Sequence, residues 1–81
     1  MLTTAQIRAA RALLNWSQPA LAQAAKLSLP TITRMEGALG PSRSTQANVE
    51  AVRRAFEDAG VVFLSEGAAS SGGGQGVRLK A

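Results

Sequence analysis

Two helix starts lie in close succession in residues 17–37, SQPALAQAAKLSLPTITRMEG, and they constrain the fold more than any other part of the chain. Ser17 and Ser28 suit N-caps, because a serine hydroxyl can accept from the free backbone N–H groups of a first helical turn. A proline follows each serine within that turn, where its missing N–H has no cost. Gly37 suits the left-handed position after the second helix. Helices this short are unstable alone in water, so they must pack on each other and on their neighbours.

Apolar residues at helical spacing predict which side of each helix faces the core. A first helix is expected over residues 5–15, with Thr3 or Thr4 as its cap, and a last one over residues 45–59, ended by Gly60. Residues 38–44 are expected to form a loop. In chain order, the core-facing residues are expected to be Ile7, Ala10 and Leu14 with Leu13 or Trp16, then Leu21, Ala24 and Ala25, then Ile32 and Met35, then Val49, Val52 and Phe56. Ala22 and Ala25 are small enough for a close approach of the two short helices.

The apolar period changes after the last helix. Residues 61–64, VVFL, predict a strand, and residues 77–80 alternate apolar and basic side chains and predict a second one. Residues 65–76 between them are low in complexity and are expected to be flexible. The strands could pair as a hairpin, and a disordered tail is the alternative. The chain thus divides into a helical domain, residues 1–60, and a C-terminal β-strand extension, residues 61–81.

Composition argues against several classes of function. The 81 residues include no Cys and no His, so disulfides, thiolate metal sites and the commonest general base are missing. The glycines at 72–74 lack the strand, helix and lysine of a phosphate-binding loop. We expect no enzyme activity, no cofactor and no metal. Neither a membrane span nor a signal peptide is recognisable, so we expect a cytoplasmic protein.

The charge is concentrated in one half of the chain. Residues 1–44 carry five basic side chains against the single acidic Glu36, whereas residues 45–81 carry four of each. The whole net charge of +4 therefore belongs to the half that contains the two short helices. Such a surface suits a polyanion, although a generic basic face is the alternative.

Residues 5–37, AQIRAARALLNWSQPALAQAAKLSLPTITRMEG, resemble the helix-turn-helix of the Xre/Cro family, which includes the lambdoid phage repressors. The pattern RxxR, L-x-W-S-Q-x-x-L-A-x-x-A and S-x-x-T-I-x-R-M-E-x-G runs through this stretch. The resemblance implies a mostly α, four-helix, lambda-repressor-like domain, here followed by a short C-terminal β-hairpin or strand pair. It also implies a prokaryotic or phage host. Residues 61–81 lie outside the shared part.

The resemblance implies that residues 28–37 are a recognition helix lying in the DNA major groove. The outward residues that would meet base edges are Leu29, Pro30, Thr31, Thr33 and Arg34. Arg34 has the geometry to bind guanine O6 and N7 together. Leu29 and Pro30 depart from the polar residues often found there and offer only apolar contact, for instance to a thymine methyl. Direct hydrogen-bond readout would then be sparse, and DNA shape would matter more.

Other residues are expected to contact phosphate or the minor groove: Ser17, Gln18, Lys26, Ser28 and Arg43. In the family, the glutamine matching Gln18 bonds phosphate and buttresses the recognition helix. Arg43 and Lys26 could equally be solvated side chains. Arg11 and Glu36 match a structural salt bridge of the family, and Trp16 is expected in or near the core.

These features predict a sequence-specific regulator of transcription that binds double-stranded DNA. The expected form is a homodimeric repressor or autoregulator on a palindromic operator, and an activator is an alternative. Another alternative is an antitoxin-like or accessory protein whose C-terminal segment binds a protein partner. The residues expected to form the dimer contact are Val61, Val62, Phe63, Leu64, Val77 and Leu79.

Overall fold

The computed structural model describes residues 2–64 and 76–79, with Ser42 and Arg43 described by their backbone alone. Its elements are α1 (Thr4–Leu14), α2 (Gln18–Ala25), α3 (Leu29–Met35), a 3₁₀ turn (Gly40–Arg43), α4 (Gln46–Asp58), β1 (Val61–Leu64) and β2 (Gly76–Leu79). The predicted class is confirmed: the described residues form a small, mostly helical domain with a two-stranded antiparallel sheet. Among them, no helix combines the length and the apolar character needed to cross a membrane.

A hydroxyl side chain caps the start of every described α-helix. Ser17, Ser28 and Thr45 accept from the backbone N–H three residues on. Thr3 caps α1 in a reciprocal capping box, in which its Oγ1 accepts from Gln6 N at 3.1 Å and Gln6 Oε1 accepts from Thr3 N at 3.0 Å. The predicted starts at Ser17 and Ser28 are therefore confirmed, because these caps depend only on nearby backbone.

The helix ends differ from the prediction in one place. Among the described residues, Asn15, Lys26, Gly40 and Gly60 are left-handed, so Gly60 ends α4 as expected but Gly37 is not left-handed. Gly37 N–H instead donates to Arg34 O at 3.1 Å, and the left-handed glycine comes later, at Gly40 with φ +64°. The predicted loop over residues 38–44 also contains a 3₁₀ turn, which tolerates Pro41 because the proline lies in its first turn.

The core is one cluster to which α1, α2, α3, α4 and β1 all contribute. Phe56 lies at its centre, with the Trp16 ring stacked at 5.7 Å between centroids and the Phe63 ring edge-on at 6.0 Å. The buried apolar residues are Leu2, Ile7, Ala10, Leu21, Ala22, Ala25, Ile32, Met35, Val52, Ala55, Phe56 and Val61. Leu14, Trp16 and Val49 pack against this cluster and are partly buried.

One residue predicted to face the core, Ala24, is exposed instead, and of the two alternatives for α1 it is Leu13 that is exposed. Ala24 lies on the outer side of α2, and Ala22 takes its place, because α2 packs against both α3 and α4. The buried stripe of α2 is therefore Leu21, Ala22 and Ala25. Leu13 is 40% exposed, so Trp16 rather than Leu13 completes the inner side of α1.

The C-terminal strands pair as an antiparallel hairpin, with Val61 opposite Leu79 and Phe63 opposite Val77. These two pairs share the inner face, where Val61 is buried and Phe63 and Val77 pack against the core. The second strand begins at Gly76, one residue earlier than predicted. The flexible segment predicted for residues 65–76 lies outside the described residues except for Gly76, and so does Lys80.

A buried amide fastens the hairpin to α1. Gln6 Nε2 donates to Leu64 O at 3.4 Å and to Gly76 O at 3.3 Å, while Gln6 Oε1 serves the α1 cap. Leu64 and Gly76 are the last pair of the ladder, so one side chain holds both strands where the described part of the hairpin ends. The sequence analysis assigns Gln6 no role, because its two carbonyl partners are 58 and 70 residues away along the chain.

Replacing Gln6 tests whether its hydrogen bonds hold the hairpin against α1. Gln6→Ala should lower the free energy of unfolding by about 1–3 kcal/mol, since it removes the cap partner and leaves carbonyl groups unpaired. Gln6→Glu keeps the acceptor for the cap but cannot donate to the two carbonyls when ionised. Both variants should speed amide hydrogen exchange in residues 61–64 and 76–79. Unchanged exchange in Gln6→Glu would show that the hairpin is held by apolar packing alone.

Candidate nucleic-acid interface

The helices α2 and α3 form a tightly joined pair. The turn between them, residues 26–28, is held by Leu27 N–H donating to Ala22 O at 2.9 Å and by left-handed Lys26. Ile32 and Met35 are completely buried, which fixes the rotation of α3 about its axis. One side of α3 must therefore point away from the core.

Four side chains form this outward surface, which we call the α3 face: Leu29, Pro30, Thr33 and Arg34. All four are exposed, and together they line one shallow depression. Leu29 is 42% exposed. Thr31, the fifth residue predicted to meet base edges, is partly buried beside the face.

The start of α2 lies against the α3 face. Thr33 Oγ1 donates to Gln18 Oε1 at 3.3 Å, so Gln18 supports α3 as the family resemblance implied. Ser17 precedes it, and its Oγ accepts from Ala20 N at 3.1 Å. In the turn, Ser28 Oγ and Thr31 Oγ1 are hydrogen-bonded at 2.8 Å. Of the residues predicted to touch phosphate, Ser17, Gln18 and Ser28 are thus brought beside the α3 face.

Lys26 and Arg43 are the two basic residues predicted to touch phosphate. Lys26 is exposed at the end of α2. The backbone of Arg43 lies in the 3₁₀ turn, and its side chain lies outside the described part of the structure. Neither makes a described contact with the α3 face.

A buried ion pair holds the far end of α3. Arg11 Nε donates to Glu36 Oε2 at 2.8 Å and Arg11 Nη2 donates to Glu36 Oε1 at 2.7 Å, so the expected ion pair is present in two-pronged form. The Glu36 side chain is only 2% exposed. The hydrogen bond to Glu36 raises the pKa of Arg11 above its ordinary value, against the opposing effect of burial. Arginine is charged throughout the ordinary pH range, so Arg11 and Glu36 form an ion pair there.

Two further α1 side chains complete the end of α3. Arg8 Nη2 donates to Glu36 O at 2.9 Å, and Arg8 Nε lies 3.7 Å from Glu36 Oε1. Thr4 Oγ1 donates to Met35 O at 3.2 Å. These bonds satisfy the last two carbonyl groups at the end of α3, which have no partner within the helix. The position of Arg8 one helical turn before Arg11 was the sequence signal for its part in this cluster.

Three or more potential metal ligands come together nowhere within residues 2–64 and 76–79. The cavity beside α4, of about 420 Å³, has Glu50 and Arg53 as its charged lining, and Arg53 is already paired with Glu57 at 3.3 Å.

Comparison of the chain with models of known families, with curated proteins and with solved structures finds no match. Any function assigned to it therefore depends on its own residues.

Within the described ranges the ion-paired carboxylates are Glu36 and Glu57, and they should differ sharply in their effect on stability. Glu36→Gln should lower the free energy of unfolding by about 3 kcal/mol, because it leaves the Arg11 charge without its buried partner. Glu57→Gln, the matched control in the exposed pair with Arg53, should change it by less than about 0.5 kcal/mol. Urea unfolding followed by Trp16 fluorescence measures both. Equal effects would contradict the structural role of Glu36.

Proposed function

We propose that this protein binds double-stranded DNA sequence-specifically and regulates transcription, with α3 lying in the major groove. The observation that carries the proposal is the α3 face: a short helix, fixed by buried residues on one side, presents Leu29, Pro30, Thr33 and Arg34 to solvent on the other. A helix pair joined by a tight turn is the unit that places its second helix in the major groove.

Electrostatics support the same partner. Glu36 is the only acidic residue among residues 1–44, and its carboxylate is buried against Arg11 and near Arg8. From Leu2 to Pro41 the surface therefore exposes no carboxylate that would repel phosphate. Arg34 and Lys26 are exposed in the same stretch, and Arg34 has no ion pair within the described part of the chain.

The side chains divide into two roles. Arg34 would bind guanine through two donors, with Leu29, Pro30, Thr31 and Thr33 near neighbouring bases. Ser17, Gln18, Lys26, Ser28 and Arg43 would contact phosphate or the minor groove and so set the position of the protein on DNA. Gln18 is suited to this, because its Oε1 supports Thr33 and its amide N–H groups remain to donate.

The functional form in this proposal is a homodimeric repressor or autoregulator in the cytoplasm, associated with the nucleoid. The C-terminal hairpin would supply the two-fold contact, because each strand of a two-stranded sheet keeps an unpaired edge. Val61 is buried in the core of its own subunit, and Phe63 and Val77 pack against that core. We therefore expect the contact to fall on Val62 and Leu64, on the outer face of the hairpin, and on the exposed part of Leu79, at the end of the inner face. Leu79 is 43% exposed. The same exposed side chain would serve the alternative, an antitoxin-like protein that binds a different chain there.

Selection from a random pool of duplexes, followed by binding measurements, tests DNA recognition. Arg34→Ala should cost about 1–3 kcal/mol on the selected sequence and relax the preference at one base pair. Arg53→Ala, which removes an arginine paired with Glu57 on α4, is the charge-matched control and should leave the affinity close to wild type. If no duplex is enriched at low salt, the proposal is wrong. Equal losses on selected and random DNA would make Arg34 a phosphate contact.

The salt dependence of binding tests Arg43. If it contacts phosphate, Arg43→Ala should reduce the slope of log K against log salt by about one unit. The loss should be uniform across sequences. A slope equal to that of the wild-type protein would mean that Arg43 is solvated.

Light scattering after size-exclusion chromatography tests the dimer. The wild-type protein should be a dimer at micromolar concentration, and Leu79→Asp should shift it towards monomer. Leu13→Asp is the matched control, since Leu13 is 40% exposed on α1 and Leu79 is 43% exposed on β2. A wild-type monomer, or a Leu79→Asp dimer as tight as wild type, would contradict this contact.

A further inference from the structure

We infer that the α3 face reads thymine through its C5-methyl group, and that Leu29 is the main residue responsible. The inference rests on the proposed function and gives the class of sequence that the protein selects.

The hydroxyl groups around the α3 face already have partners. Thr33 Oγ1 donates to Gln18 Oε1 at 3.3 Å, and Thr31 Oγ1 is bonded to Ser28 Oγ at 2.8 Å. The Thr33 hydroxyl hydrogen is therefore used inside the protein, and one of the two hydroxyl hydrogens of Ser28 and Thr31 lies between them. A base-edge acceptor would have to break the bond to Gln18 before it could bind the Thr33 hydroxyl. Thr33 therefore offers a base edge its methyl group rather than a free hydroxyl hydrogen.

The rest of the α3 face is also apolar. Leu29 is 42% exposed and has only carbon atoms beyond its backbone, and Pro30 has neither a polar side chain nor a backbone N–H. Pro30 also restricts the backbone at the start of α3, so Leu29 and Pro30 form a firm apolar edge. Of the four side chains of the face, only Arg34 offers free hydrogen-bond donors.

Such a surface discriminates between base pairs in a defined way. The thymine C5-methyl is the apolar group that a base pair displays in the major groove, whereas the other groups there are hydrogen-bond donors and acceptors. Burying an acceptor such as guanine O6 against Leu29 would leave it unpaired and therefore costs free energy. Leu29 and Pro30 should consequently select thymine, and Arg34 should select guanine at a nearby position.

Deoxyuridine isolates the methyl group, because it differs from thymidine by that group alone. In the duplex selected above, each thymine of a half-site is replaced in turn by deoxyuridine and Kd is measured by fluorescence anisotropy. At one or two positions the wild-type protein should bind about four-fold more weakly, the effect expected for one buried methyl group. Leu29→Ala should bind the thymine and deoxyuridine duplexes equally at one of these positions.

Variants at Leu13 and Thr33 separate a loss of methyl readout from a general loss of folding. Leu13→Ala removes a leucine that is 40% exposed on α1 and should keep the full methyl dependence. Thr33→Val, which keeps a methyl group and loses the hydroxyl, should keep the sequence preference, whereas Thr33→Ser should weaken it. The reverse order for Thr33 would show readout by its hydroxyl and would contradict the inference.

Failure of the inference differs from failure of the proposed function. If the protein enriches a duplex but binds its thymine and deoxyuridine forms alike at every position, methyl readout is wrong and DNA binding stands. Methyl readout by Leu29 is also wrong if Leu29→Ala keeps the whole difference in Kd between the thymine and deoxyuridine duplexes. If no duplex is bound at low salt, both proposals are overturned.

Discussion

The buried carboxylate of Glu36 is the constraint on which the arrangement of the helices depends. A charged group that is 2% exposed must be neutralised and hydrogen-bonded, and Arg11 does both through two bonds of 2.7 and 2.8 Å. Since Arg11 belongs to α1 and Glu36 immediately follows α3, this requirement ties the first helix to the end of the third. The position of the C-terminal end of α3 relative to α1 is set by this pair.

The third helix is too short to be stable by itself, and α1 supplies what it lacks. Thr4 and Arg8 donate to the carbonyl oxygens of Met35 and Glu36, so the last turn is closed by another helix. Buried Ile32 and Met35 fix the opposite side. The outward surface of α3 is therefore held by contacts at the end of the helix and on its inner side, as the proposed reading of base edges requires.

The same packing gives the surface its chemical character. The one acidic residue of the basic half is used inside the protein, and the hydroxyls of Thr31 and Thr33 are bonded to Ser28 and Gln18. On the α3 face, the side chains of Leu29 and Pro30 then form an apolar edge beside the guanidinium of Arg34. A composition rich in hydroxyl groups thus yields a surface with few free donors, which residue counts alone would not suggest.

The sequence by itself determined the features that depend on neighbouring residues: the caps at Ser17 and Ser28, the inward Ile32 and Met35, the paired strands and the left-handed Gly60. Each follows from local backbone hydrogen bonds or from side-chain periodicity. The pairing of Arg11 with Glu36 came from the family resemblance, since spacing alone does not join residues so far apart. Only the tertiary structure decided that Gln6 bonds both strands of the hairpin and that Ala22 rather than Ala24 is buried. It also decided that the left-handed glycine after α3 is Gly40 rather than Gly37. Those outcomes depend on groups remote in sequence, because a carbonyl oxygen from another element supplies the hydrogen bond or a second helix covers the surface.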